Sequence, residues 1–372
     1  MARGLYAYAF LQDLVLLYPV YALLFADTGL TGAQLSSLFA LWSLTAFALE
    51  VPSGLLADRF SRRLLVAAAP LCAGAAFALW TFLPAYPAFA VGFVLWGAGG
   101  ALASGALEAL VYEGLAAAGA AHRYPRLIGR SRALGTVAVL AAGVLAGPVL
   151  AVGGYPAVGW ASVAVSLLAA AAGWTLPEAP RGRAAGQGPR PGVLRGALAE
   201  VRRSPALLGV LALLSALTVV DALEEYLPLL ARATGVSDTT VPLLVVLVTA
   251  GTAAGQWCAG RGMRWAGPVL GAGVVLLAFG ALSGHPAGLL GVAAGFGVFA
   301  WAGVAVEARL QERVGDRARA TVTSLAGVGE EVVALLVYAA YGAGAAWAGP
   351  GPLFAVLALP GLVVGVLLWR AR

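Results

Sequence analysis

Asp13, Glu50, Asp221, Glu224, Glu225, Glu330 and Glu331 stand inside long apolar stretches of the chain. A charged carboxylate in such surroundings is costly, so by default it marks a path for ions or substrate, or it has a partner. Without a basic partner it favours taking up a proton, which suits proton coupling. Asp13 lies eight residues into the first apolar run, about 12 Å deep at roughly 1.5 Å per residue. Asp13, Asp221, Glu330 and Glu331 are therefore the candidate proton-coupling residues, the last two about eleven residues into their run. Asp13 and Tyr18 share their spacing with Asp221 and Tyr226. Glu50 and Glu225, with the aromatic residues Tyr18, Trp96, Tyr112 and Tyr226, are the candidate lining of a substrate cavity. No zinc motif, nucleophile elbow, Cys–His set or G-x-x-x-x-G-K-[ST] loop occurs, and His122 and His285 fall in expected loops. An enzyme, a metal site and ATP-driven transport are accordingly not expected.

The elements that must position these acids follow from composition. The 372 residues are 61% hydrophobic and 11% charged, where soluble domains carry about 25% charged residues. Such a chain cannot cover a water-facing surface, so an all-α integral membrane protein is expected. Apolar runs bounded by Pro, Gly or charge lie near 5–26, 33–57, 64–83, 86–116, 127–151, 155–177, 205–231, 238–260, 265–284, 286–308, 319–345 and 350–369. Segments of this length in lipid must be helices, because their backbone has no water to bond. All basic residues are arginine, and with these twelve spans every one except Arg232 falls on a single side. The positive-inside rule then makes both termini cytoplasmic. The net charge of +6 is a topology signal, and no nucleic-acid partner is expected. Cys72 and Cys258 sit inside apolar runs and read as buried packing residues.

The Pro-, Gly- and Arg-rich stretch around 177–205 divides six runs from six. It sets expected bundles at 1–177 and 205–372 with a cytoplasmic linker at 178–204. Thr28-Gly29-Leu30-Thr31 matches Thr234-Gly235-Val236-Ser237, and Arg130-Ser131-Arg132-Ala133 matches Arg317-Ala318-Arg319-Ala320, which suggests duplication.

The loop Gly54-Leu-Leu-Ala-Asp58-Arg59-Phe-Ser61-Arg62-Arg63 resembles the signature of the major facilitator superfamily, with Ser61 replacing its second glycine. Two six-helix halves joined by a cytoplasmic linker are that family's arrangement. The resemblance implies a cytoplasmic gate of Gly54, Asp58, Arg59, Arg62 and Arg63. Asp58 would stand at the N-terminus of the third helix, where the dipole favours an acid. Glu113 would pair with a loop arginine. Gly143-Val-Leu-Ala-Gly147-Pro148, followed by Gly153-Gly154, is similar to the fifth-helix motif of drug:proton antiporters. Close packing of small residues explains the same pattern. Phe93 stands where those antiporters carry a basic residue. Glu50-Val-Pro52-Ser-Gly54 and Ser104 to Glu113 resemble a large group of bacterial facilitators.

The reading that results is a proton-coupled exporter of small amphipathic neutral or cationic compounds. It uses the proton gradient and no cofactor, as a monomer in a bacterial inner membrane. The partners are the substrate and the bilayer. Import of a sugar or other metabolite with protons, and a non-transporting sensor or assembly protein on the same fold, are the alternatives. The topology is testable with reporter fusions: those at Asp27, Gly284 and Gly349 should read extracytoplasmic, and one within 187–192 cytoplasmic. An outward-facing linker would remove the twelve-span arrangement.

Overall fold

The computed structural model describes residues 1–178, 205–313 and 319–370, which form helices and loops with no β-strand among them. The expected linker, apart from Glu178, lies outside these residues, as does Arg317 of the second Arg-x-Arg repeat. Seven segments among them are long and apolar enough to cross a membrane, and 241–257 and 266–282 are apolar but shorter. The chain is a multi-pass membrane protein.

It forms two compact units, Met1–Gly186 with Asp238–Leu243, and Gln187–Ser237 with Leu244–Arg372. The first contains α1 (Ala2–Asp13), α2 (Tyr21–Asp27), α3 (Gly32–Arg59), α4 (Arg62–Phe82), α5 (Tyr86–Ala103), α6 (Ala106–Ala117) and α7 (Tyr124–Trp174). Two expected helices are joined in α7 across a kink at Gly154, whose φ of +62° suits glycine alone. The second unit contains α8 (Pro205–Leu217), α9 (Val219–Glu224), α10 (Leu227–Ala233) and α11 (Val241–Trp257), whose start groups with the first. It continues with α12 (Ala266–Leu282), α13 (Gly288–Arg313), α14 (Arg319–Gly344), α15 (Pro350–Ala358) and α16 (Pro360–Arg370).

The first apolar run is not the continuous helix its hydropathy suggests. It ends at Asp13 and resumes at Tyr21. Pro19 accounts for this, since it lacks an N–H and pushes the residue before it out of the helical region. The break leaves backbone groups that membrane interiors cannot solvate. One is met from another helix: the buried Leu17 N–H donates to Ser162 Oγ at 3.0 Å. The Ser162 hydroxyl in turn donates to Val158 O at 2.8 Å. Around this, α1 packs on α4, α6 and α7 through Leu5, Tyr8, Val66, Leu110, Val111 and Ile128, and Tyr8 Oη donates to Val66 O at 3.1 Å.

The seventh run breaks more gently, into α8, α9 and α10, with tightened turns at Thr218 and Glu225–Tyr226. Pro228 removes the bond that the Glu224 carbonyl would have received. The two repeats end alike. Thr28 Oγ1 donates to Phe25 O, and Thr234 Oγ1 to Ala231 O, both at 2.7 Å. Gly29 and Gly235 follow at φ +88° and +85°, as C-terminal glycines do.

Ser162→Ala should orphan the Leu17 N–H and cost about 1–3 kcal/mol, read as a lowered unfolding temperature in detergent. Ser166→Ala removes a hydroxyl that donates to the Ser162 carbonyl of its own helix at 2.9 Å, and should change stability much less.

Candidate functional site

Asp13 is the last residue of α1, so its carboxylate stands at the end of a helix where unbonded carbonyls gather and the dipole is negative. Oδ2 of Asp13 lies against Gly135 of α7, where a Cβ would collide with it. Beside it in sequence, Gln12 Oε1 is buried with no hydrogen-bond partner. Asp13 itself has neither a hydrogen bond nor an ion pair with another described residue.

From within the break, Tyr18 joins an aromatic stack with rings of α3 and α5. Trp96 of α5 lies between Tyr18 (5.3 Å between centroids, 20° between planes) and Trp42 of α3 (5.1 Å, 21°). Tyr21, Phe77, Trp80 and Phe93 back it with edge-on and tilted contacts, and Phe25 in turn packs edge-on against Trp80, which makes five backing rings. All five of these backing rings are buried, so the stack is fixed from behind. The expected pair Tyr18 and Trp96 is thus brought together. Trp42, which reads in sequence as an interfacial or packing aromatic, completes it. Hydropathy carries no signal for that, because a stacked tryptophan and an interfacial one have the same composition. Phe93, at the position basic in antiporters, is a core ring.

Glu50 and Tyr112 are not brought to this stack. Glu50 is exposed on α3, and Tyr112 packs edge-on against Tyr124 at 5.5 Å.

The second unit repeats the acid-plus-aromatic arrangement with different partners. Asp221 is in α9, Glu224 ends it, and Glu225 and Tyr226 form the joint to α10. Asp221 is close enough for its charge to interact with that of Glu224 and with that of Glu330 of α14. Glu331 follows Glu330, and both are half-buried. Tyr226 is fully buried and stacks on Tyr341 at 3.6 Å and 16°, with Tyr338 at 6.3 Å. Five residues after the acid, each repeat therefore holds its tyrosine against a ring from another helix.

The arginine loop differs from expectation in one respect. Asp58 is not at the N-terminus of a helix: Gly54 and Asp58 belong to α3, whose last residue is Arg59, and their side chains lie outside the described set. The N-cap of α4 is Ser61, at φ −57°, where a Cβ meets no strain, and its side chain accepts from the Leu64 N–H. The acid that meets this helix end is Glu178. Its carboxylate accepts from the Arg62 N–H at 2.9 Å and the Ser61 hydroxyl at 2.5 Å. Arg62 pairs with Glu113, and the Arg63 guanidinium lies 5.4 Å over the Trp174 ring. Arg132 pairs with Glu108 at 2.8 Å. The loop is thereby tied to α6 and to the end of α7.

In α7, Gly143 and Gly147 are buried and Pro148 is exposed. Gly147 comes so close to the Thr239 carbonyl, in the same unit, that a Cβ would not fit. Close backbone approach is what this glycine provides.

An all-helical membrane chain in which two broken runs carry Asp13 and the acids Asp221, Glu224 and Glu225 has the organisation of a secondary transporter. The chain matches the Major Facilitator Superfamily over residues 6–305 and belongs to it; it is a transporter and not an enzyme. Solved structures with the same fold include the nucleoside transporter NupG, at 13% identity and TM-score 0.75, with 99% of this chain and 98% of that one covered. A bacterial homologue of the iron transporter ferroportin in an inward-facing state is similar at 16% identity and TM-score 0.67, over 100% and 98%. The D-xylose-proton symporter is similar at 16% and 0.66, over 99% and 96%. No curated protein matches the sequence.

The cap of α4 is testable. Ser61→Ala should cost about 1 kcal/mol of stability, whereas Ser61→Gly, the family's own residue, should cost only a few tenths. Thermal unfolding in detergent orders the two, and equal losses would mean that Glu178 alone caps the helix.

Proposed function

We propose that this facilitator is a proton-coupled exporter of small amphipathic neutral or cationic compounds. The observation that carries the reading is one helix break that begins at the terminal acid Asp13 and contains Tyr18, which is stacked with Trp96 and, through it, Trp42. Stacked aromatic faces bind apolar rings and attract cations. A carboxylate at a helix C-terminus favours a proton or a cation, which offsets both its own charge and the dipole. A proton and a cationic substrate then exclude one another at Asp13, because both bind its ionised form, and either drives the conformational switch only through different affinities for its two states. Asp221, Glu330 and Glu331 are the second sites for protons. Asp58 and the arginines around it govern exchange between conformations, and protein monomers in a bacterial inner membrane are the working form.

Gln12 favours a second reading. Its buried, open amide oxygen suits a hydroxyl donor, as a sugar or nucleoside imported with protons would supply. Thermal-shift screening separates the two, because a ligand of the folded state raises its stability. Stabilisation by amphipathic cations favours export; stabilisation by sugars or nucleosides alone overturns it.

In proteoliposomes with an imposed pH gradient, Asp13→Asn should abolish uphill transport, retain downhill exchange and flatten the pH dependence of binding between acid and neutral pH. Uphill transport at the wild-type rate would eliminate Asp13 as the coupling site and move the role to α14.

A further inference from the structure

A groove of about 730 Å³ lies wholly within the second unit, between α11, α12 and α13. Its floor is made of small residues: Gly251, Ala254 and Gly255 from α11, and Ala294 and Gly297 from α13. Gly255 sits so close to the Gly297 backbone that a Cβ at 255 would collide with it. Two helices in contact at glycine leave a channel where larger residues would have filled it. Trp265 forms a wall and is half exposed, and Trp257, near the same end, is 84% exposed. Trp at that level marks the zone where apolar chains meet headgroups.

The mouth is basic. Arg261 lines it, held between Gly260 and Gly262, whose φ angles of +82° and +72° form a turn that L side chains rarely adopt. The Trp301 Nε1–H donates to the Arg261 carbonyl at 3.0 Å, which pins the turn to α13. Arg264, three residues on, lies 5.9 Å over the Trp265 ring. Both arginines are exposed, and no acidic residue occurs between Cys258 and Trp265. Cys258 is exposed in this groove, where the sequence reads as a buried packing residue.

An apolar trough with two cations at one end is complementary to an apolar chain that carries a negative head. We propose that the groove between α11, α12 and α13 is a binding site for an anionic phospholipid of the surrounding bilayer, its acyl chain along the Gly–Ala floor and its phosphate at Arg261 and Arg264. Basic pockets between membrane helices hold such headgroups. Zwitterionic lipid shares the trough contacts and the phosphate but adds a cation beside the arginines, so the site discriminates by charge. The groove is separate from the acids and stacks assigned to transport.

The test uses the purified full chain, exchanged into mixtures of phosphatidylglycerol and phosphatidylethanolamine with identical acyl chains. Lipid retained after controlled delipidation is then counted by native mass spectrometry. The wild type should retain phosphatidylglycerol with a preference of about 25-fold, given about 1 kcal/mol, or about fivefold, for each of the two arginines near the headgroup. Arg261→Gln with Arg264→Gln should lose that preference and keep phosphatidylethanolamine retention unchanged. The pinned turn survives this change, because Trp301 bonds the backbone of Arg261 and not its side chain. Arg261→Lys with Arg264→Lys should keep the preference, which separates charge from misfolding. Ala294→Phe, which fills the trough from an exposed position, should lower retention of both lipids. Equal retention of the two lipids by the wild type overturns the proposal. So does an undiminished preference in the Gln pair, or undiminished lipid in Ala294→Phe.

Discussion

A polypeptide in lipid must satisfy its own backbone, and the placement of Asp13, Tyr18, Glu224 and Tyr226 depends on how that rule is met where a helix is broken. An unbroken helix meets it automatically and leaves nothing for a ligand to bond. A break creates free N–H and C=O groups, and is tolerated only when a neighbour supplies what water cannot. Ser162 is that neighbour for the first run. Its hydroxyl accepts from Leu17 while donating within its own helix. One side chain therefore lets α1 end at Asp13 and lets the chain re-enter at Tyr21, with Tyr18 turned onto Trp96.

The two units solve the same problem by different means, which bears on how far a sequence alone can be read. Pro19 and Pro228 are visible, and each announces a fault in a helix that hydropathy draws as continuous. The equal spacing from Asp13 to Tyr18 and from Asp221 to Tyr226 is also visible, as are the Thr-Gly pairs, whose hydrogen bonds and φ angles prove nearly identical in the two repeats. The partners are not visible. Trp42, Tyr338 and Tyr341 come from helices distant in sequence, and nothing in their local pattern separates a ring that stacks on a site from one that faces lipid. Ser162 is equally silent, as a lone hydroxyl in an apolar run. Local rules reveal where a helix yields, and tertiary packing decides what fills the gap.

The arginine loop shows a different limit. Its motif was legible residue by residue, yet the boundary between α3 and α4 falls at Phe60–Ser61 and not before Asp58. A shift of that size moves an acid from the favourable start of one helix to the end of another. The chain compensates from afar, through Glu178, which follows Ser61 by more than a hundred residues. The serine in place of the family's glycine is part of that arrangement: its hydroxyl both caps α4 and donates to Glu178. With Arg62 on Glu113 and Arg63 over Trp174, the loop is wired into its own unit.

These constraints meet in the electrostatics of the helix ends. Asp13 closes α1 and Glu224 closes α9. In each case a carboxylate sits where the dipole is already negative, the reverse of the arrangement that stabilises a helix. Soluble helices place basic residues there, and this chain places none beside either acid in sequence. An arrangement that is unfavourable when empty and charged gains most from an arriving proton or cation, because binding relieves the dipole at both acids and, at Glu224, the repulsion from Asp221 as well. In the proposed mechanism, the cost of the two breaks is the source of a preference for positive charge. The aromatic stacks beyond the breaks add a surface that accepts an apolar body.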